Sequence, residues 1–318
     1  MLSTTKSFPQ KFARAIFFNV SALLLSLILS VVADAEDPPA GGENSAKKIV
    51  VCSTTQIADF ARNIAGDQWE VKCLLAAGQD PHSYRTTAAD SRDVAGADLC
   101  LENGWNLEGH GWMRTLAESS QRPIQTCVEG ITPLQTEDAT GEVKDPHAWM
   151  DPENAWIYVK NIRDALSKID PYNADLFSSR ADLYRYQLKS LRVWIATEVN
   201  KIPVQRRILV SHHDAFGYFC HAFKFEARSP QGWSTAELKG VSPSKQQEIV
   251  KMIRDEGVKS IFIETTLSQE MIASIAKEAG VTIGGELYSD AMGSTGSAGE
   301  TYIGMMRENV LTIVKALK

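Results

Sequence analysis

The stretch DPYNADLFSSRADLYRYQLKSLRVWIATEVNKIP, residues 170–203, decides the fold. Asp170-Pro171 places a capping carboxylate before a proline whose fixed φ suits the first helical position. From Tyr172 to Ile202 no Gly or Pro interrupts the run, and Pro203 closes it. Leu176, Leu183, Leu188, Leu191, Ile195 and Val199 supply apolar positions at helical spacing. At 1.5 Å per residue, such a helix would span on the order of 45 Å. Asp151-Pro152 uses the same device to open a shorter helix ending near Ile169. A helix that long in mid-chain is expected to be a strut between two bodies, limiting wide hinge closure.

The sequences on either side echo each other. Lys47-Lys48-Ile49-Val50-Val51-Cys52-Ser53-Thr54 runs into an amphipathic stretch through Ile57, Phe60 and Ile64. Arg206-Arg207-Ile208-Leu209-Val210-Ser211-His212-His213 runs into another through Phe216 and Phe219, and Phe60 and Phe219 keep the same spacing as Lys47 and Arg206. Short apolar runs alternate with helical patterns in each half, which predicts α/β lobes with largely parallel sheets. Strands are expected near Ile49–Cys52, Val71–Leu75, Asp98–Leu101 and Pro123–Cys127, then near Ile208–Val210, Phe225–Ala227, Ser260–Ile263 and Thr282–Leu287. The expected division is 47–169 and 204–318 as two similar lobes, joined by a linking helix over 170–203.

Ahead of the first lobe, Lys6, Lys11 and Arg14 precede an apolar stretch from Ala15 to Val32, and Ala33-Asp34-Ala35 has the small-x-small form of a secretory cleavage site. Residues 1–35 are therefore expected to be a signal peptide removed after Ala35, with 36–46 a flexible Pro/Gly-rich leader. The competing reading is an uncleaved anchor, because the apolar run approaches bilayer thickness. The 318 residues carry a net charge of −6 and are 44% hydrophobic and 23% charged. Those proportions exclude wholesale disorder, and the acidic balance argues against nucleic acid as a partner. Cys52, Cys73, Cys100 and Cys127 sit in or beside short apolar runs and read as buried small hydrophobes. None of the spacings makes a Cys-x-x-Cys zinc unit.

The chemistry points to histidine. Among only six, three lie in loops at element ends: His82 in GQDPHSY (78–84), His147 in DPHAWMDP (145–152), and His213 in SHHDAF (211–216). Asp290 follows the last expected strand in GELYSDAMG (285–293). In an open α/β sheet, ligands bind beyond the carboxyl ends of strands, where His82, His213 and Asp290 fall. Two candidates come from each half, so a site using all four must lie between the lobes. Three imidazoles and one carboxylate suit Zn²⁺, Mn²⁺ or Fe²⁺. His212 is an alternative to His213, with alternation allowing one of the two to face the site. His110 and His221 read as solvated or packed. Glu264, ending an expected strand, could contact a ligand residue or simply cap the next helix.

At these residues the sequence resembles the solute-binding proteins of bacterial zinc and manganese ABC importers, the ZnuA/TroA-like cluster A-I family, over roughly Lys48 to Lys318. The resemblance rests on Gly78 to Tyr84, on Asn103-Gly104-Trp105-Asn106-Leu107-Glu108, on Asp145 to Pro152, on His213 to Phe219 and on Gly284 to Gly293. It implies two α/β lobes joined by one long helix, a metal between them, and His82, His147, His213 and Asp290 as ligands. It also selects His213 over His212, because the family ligand immediately precedes the Asp-Ala-Phe wording. Zinc-specific relatives often carry a His-rich loop where residues 131–144 here have acidic residues and no histidine. Manganese-specific relatives often place Glu where this chain has His213. Many relatives are lipoproteins, whereas no cysteine precedes Cys52 here. The stretch 232–242 departs from the family pattern.

The resemblance implies an exported, periplasmic receptor, expected to be monomeric. It would capture zinc, or manganese, and pass the ion to the membrane permease of an ABC importer without catalysis. The alternatives are a zinc-dependent hydrolase, with Glu264 or Asp214 as base, and a metal-containing surface adhesion protein.

Overall fold

Thr54 starts the first helix by accepting the Ile57 amide on its hydroxyl, directly after a strand whose alternate residues face opposite ways. This computed structural model describes residues 46–138, 141–235 and 242–318. The expected signal peptide and leader up to residue 45 lie outside the described residues. Strand β1 (Lys48–Cys52) leads to α1 (Thr55–Ala65), β2 (Trp69–Cys73), α2 (Ala88–Ala95), β3 (Leu99–Glu102), α3 (Trp112–Ser119) and β4 (Ile124–Thr126). These strands form one parallel sheet in the order β2-β1-β3-β4. Val50, Cys52, Leu99 and Leu101 point to the inner core, while Val51 and Cys100 point to a smaller outer one with α2 and α3. That is the period-two alternation of a sheet covered on both faces.

A hairpin of β5 (Gln135–Asp138) and β6 (Gly141–Lys144) follows; its residues were too polar to announce strands in the sequence. Helix α4 (Pro152–Ile169) begins where expected, with the Asp151 carboxylate accepting the Glu153 amide at 2.9 Å. Such a cap contributes about 1 kcal/mol.

The long helix differs from expectation in start, length and face. A single 3₁₀ turn, Pro171–Asn173, precedes α5 (Ala174–Val199), whose 26 residues span about 39 Å. Asp170 does not cap it. Its carboxylate instead accepts the Trp69 indole N–H at 3.0 Å and the Asn173 amide at 2.8 Å, tying the strut to the first sheet. Burial opposes ionisation of Asp170, but those two donors outweigh it and hold the carboxyl below its ordinary range. The buried stripe is Phe177, Ala181, Tyr184, Leu188, Leu191, Ile195 and Val199, whereas Leu176 and Leu183 are exposed at 38% and 62%. Leu176 and Leu183 each sit one position before a buried aromatic, a rotation of about 100° away from the core.

The second lobe holds β7 (Ile208–Val210), α6 (Gly217–Phe223), β8 (Glu226–Arg228), α7 (Pro243–Asp255), β9 (Ser260–Glu264), α8 (Glu270–Ala279), β10 (Thr282–Leu287) and α9 (Tyr302–Leu317). Strands β7 and β8 pair in parallel, as do β9 and β10, and the expected parallel character holds in both lobes. Leu209 and Phe262 face the main core, while Val210 and Ile261 join α7 and α8 on the other side. The main core runs without a break from the first lobe through α4 and α5 to α9. At its centre Phe60 of α1 packs edge-on against Tyr302 at 4.9 Å, Tyr158 at 5.9 Å and Tyr184 at 6.1 Å. Both lobes and both central helices meet at that ring.

All five cysteines are free, and all but the half-buried Cys73 are buried. Burial raises the Cys52 and Cys127 thiols well above their ordinary range, which keeps them protonated and unreactive. No helix among the described residues is long and apolar enough to cross a membrane.

Candidate metal centre

Each of the three expected histidine ligands is delivered by a loop held by hydrogen bonds. After β2, the Asp80 carboxylate accepts the His82 amide at 2.8 Å, and the Trp112 indole donates to the Pro81 carbonyl at 2.9 Å. Gly109 lies so close beneath this turn that a Cβ there would overlap the His82 carbonyl oxygen. The Asn103-Gly104 turn serves His147 in the same way. Glu108 accepts the Asn103 amide at 2.7 Å and the Ser53 hydroxyl at 2.6 Å, and Asn103 donates to the Pro146 carbonyl at 3.0 Å. The motif read as a family signature is thus a bracket for the peptide preceding His147. In the second lobe, the Glu264 carboxylate at the end of β9 accepts the His213 amide at 2.9 Å.

These loops bring His82, His147, His213 and Asp290 together, with one donor atom from each lying within 4.8 Å of the others. His82 Nε2 is 3.3 Å from His147 Nε2. Asp290 Oδ1 is 3.2 Å from His147 Nε2, and Asp290 Oδ2 is 3.2 Å from His213 Nε2 and 3.8 Å from His82 Nε2. All four side chains are fully buried. Trp233, from the stretch that departs from the family pattern, packs its ring against His82; residues 236–241 of that stretch lie outside the described residues.

The outer nitrogens set the tautomers. Asp145 Oδ1 lies 2.8 Å from His147 Nδ1 and accepts the His147 amide at 2.9 Å, while Glu264 Oε2 lies 2.7 Å from His213 Nδ1. With each Nδ1 turned outward to a carboxylate, Nε2 is turned inward to the cluster. Glu264, read as a contact to an expected ligand residue or as a capping or solvated carboxylate, is buried against His213. Asp145 was not singled out, although it stands in the quoted Asp-Pro-His and its two-residue spacing from His147 was a usable signal. His212 points elsewhere, with an unpartnered Nδ1, and burial lowers its pKa. His110 and His221 are exposed.

Crowding of charge determines what this cluster can hold. Burial opposes protonation of His147, but the Asp145 and Asp290 carboxylates outweigh it and carry the imidazole up to about 9. Burial likewise opposes protonation of His213, and Glu264 with Asp290 overcomes it, raising His213 well above its ordinary value. His82 goes the other way: burial pushes it down and Asp290 only partly compensates, so it stays neutral. Asp290 is costly to bury as an anion, yet the facing His213 and His147 hold its carboxyl well below the usual range. His213 Nε2 and both Asp290 oxygens have no hydrogen-bond partner. A buried carboxylate and an imidazole nitrogen left without hydrogen-bond partners, beside two more converging imidazoles, fit a divalent cation.

Comparison with known proteins points the same way. Residues 50–316 match the family model described as ZnuA, zinc-uptake complex component A, periplasmic. The chain is 38% identical over 277 residues to the manganese-binding lipoprotein MntA of Bacillus subtilis, covering 85% of this chain and 89% of that one. It superposes on the periplasmic zinc-binding protein TroA from Treponema pallidum with a TM-score of 0.80 at 35% identity, covering 85% and 99% of the two chains. A manganese-bound periplasmic metal-binding protein from Candidatus Liberibacter asiaticus superposes with a TM-score of 0.76 at 32% identity, covering 86% of this chain and all of that one.

Proposed function

From the premise that this chain belongs to the ZnuA/TroA-like family of metal-binding proteins of ABC importers, we propose that His82, His147, His213 and Asp290 ligate the cargo ion. The protein is an exported receptor that binds zinc or manganese for delivery to such an importer. The observation that supports the ligand set is the convergence of four buried donors from both lobes on one point. We take 47–169 and 204–318 as the lobes that grip the ion and 170–203 as their connection. In this reading the mature chain starts after Ala35, acts as a monomer and docks on a membrane permease.

The same geometry speaks against hydrolysis. A hydrolytic site keeps a coordination position open and a base near the metal-bound water. Here the donors are sealed from solvent, and Glu264 is engaged with His213. The proposal is therefore that the ion is carried and not used.

One carboxylate among three imidazoles leaves a divalent site less neutralised than a two-carboxylate shell would, which favours nitrogen-preferring zinc over manganese. TroA is named for zinc and MntA for manganese, so the choice rests on the donors and not on the relatives.

Loading exchanges protons for metal. The carboxylates around His147 and His213 favour the protonated form of both rings in the metal-free protein, so an arriving ion competes with protons for them. Titrating zinc into weakly buffered full-length protein at pH 7 is expected to release protons as the ion loads. Affinity is expected to fall as the pH is lowered, because the protonated forms compete. Binding without proton release, or affinity flat from pH 8 to pH 6, would contradict imidazole ligation.

A further inference from the structure

Three of the four ligand residues share a device: the carbonyl just before each is held by a side-chain donor. Trp112 holds Pro81 and Asn103 holds Pro146, each within the first lobe. Asp290 differs. The Ser289 carbonyl accepts the Gln56 amide at 3.1 Å and the Trp149 indole at 3.3 Å, and both donors belong to the lobe opposite the one that carries Asp290.

Gln56 lies in the first turn of α1 and is 1% exposed, a placement that demands partners for its amide. The Thr55 hydroxyl donates to Gln56 Oε1 at 3.1 Å, which turns Nε2 towards Ser289. The same hydroxyl accepts the Met292 amide at 2.8 Å. Two consecutive residues of α1 therefore grip the loop on both sides of the aspartate. The carboxylate needs this, because its oxygens have no hydrogen-bond partner among the described residues and face the three imidazoles. Its aim comes from its backbone.

Resting on the ligand assignment above, we propose that Gln56, supported by Thr55, is a positioning residue that holds the Asp290 loop to the first lobe. The one anionic ligand is then presented correctly only while the two lobes are in register. Parting of the lobes would break this grip and spoil the aim of Asp290, which links retention of the ion to lobe alignment.

The test is a double-mutant cycle on the full chain. Zinc affinity is read by chelator competition and coordination by the visible absorption of the Co²⁺-loaded protein. Gln56→Met keeps length and burial but removes the donor. It is expected to weaken zinc about tenfold, the scale of one hydrogen bond, and to shift the Co²⁺ bands. In an Asp290→Ala background, Gln56→Met should cost nothing further. Thr55→Val enters the same cycle, so the test survives if one variant fails to fold. Wild-type affinity and spectrum in Gln56→Met would overturn the proposal. So would an equal loss in the Asp290→Ala background, since Gln56 would then act through general packing. If Asp290→Ala alone bound zinc like the unaltered chain, the ligand assignment would fall and take this proposal with it, an outcome distinct from the other two.

Discussion

His82→Ala is expected to weaken zinc binding by more than about 100-fold, beyond the 10–100-fold typical of losing a group that only supports a ligand. Among the three imidazoles, His82 makes the cleanest test. Burial keeps it neutral, and its Nδ1 has no hydrogen-bond partner, so its removal strands no buried charge. Replacing His213 would leave the Glu264 carboxylate buried without its partner, at a cost of about 3–5 kcal/mol in folding that would blur a binding measurement. The metal-free His82→Ala protein should therefore melt close to the unaltered chain while failing to retain zinc against a chelator. Chelator competition and thermal melts on the same samples separate the two effects. A variant that holds zinc normally would remove His82 from the site.

The second large effect concerns a residue that does not touch the ion. Glu264→Gln preserves shape and can still accept the His213 amide, but it removes the charge facing Nδ1. His213 becomes a poorer base and a poorer ligand, and zinc affinity should fall about 10–100-fold at pH 8. The sign at lower pH is distinctive. Glu264 and Asp290 together raise His213 well above its ordinary value; without Glu264 the proton competes less well. The loss relative to the unaltered chain should shrink towards pH 6, and fewer protons should be released per zinc at pH 7. A loss that is the same at every pH would mean that Glu264 acts on packing alone.

The sequence announced the strut and the ligand loops for a common reason. Proline next to a capping or ligating residue fixes the backbone locally, so Asp151-Pro152, Pro81-His82 and Pro146-His147 could be read without tertiary information. The face of the strut could not be read so well. Leu176 and Leu183 are as apolar as the leucines that are buried, and only packing of Phe177 and Tyr184 against the core chose the neighbouring stripe. Asp170 shows the same limit, since its cap signal is real but the Trp69 indole, distant in sequence, claims the carboxylate. Within the site, His82, His213 and Asp290 lie beyond strand ends and His147 before a helix, whereas the groups that face them are a mixed case. Glu264 ends a strand and could be suspected. Gln56 carries no local pattern at all, because its partner at Ser289 lies in the other lobe.

Zinc K-edge X-ray absorption on the loaded full-length protein tests the ligand set most directly. His82, His147, His213 and Asp290 predict a shell of about three imidazole nitrogens and one carboxylate oxygen at about 2.0–2.2 Å, with the outer-ring scattering of imidazole. A sulfur shell near about 2.3 Å, or a shell of water oxygens without imidazole scattering, would contradict it.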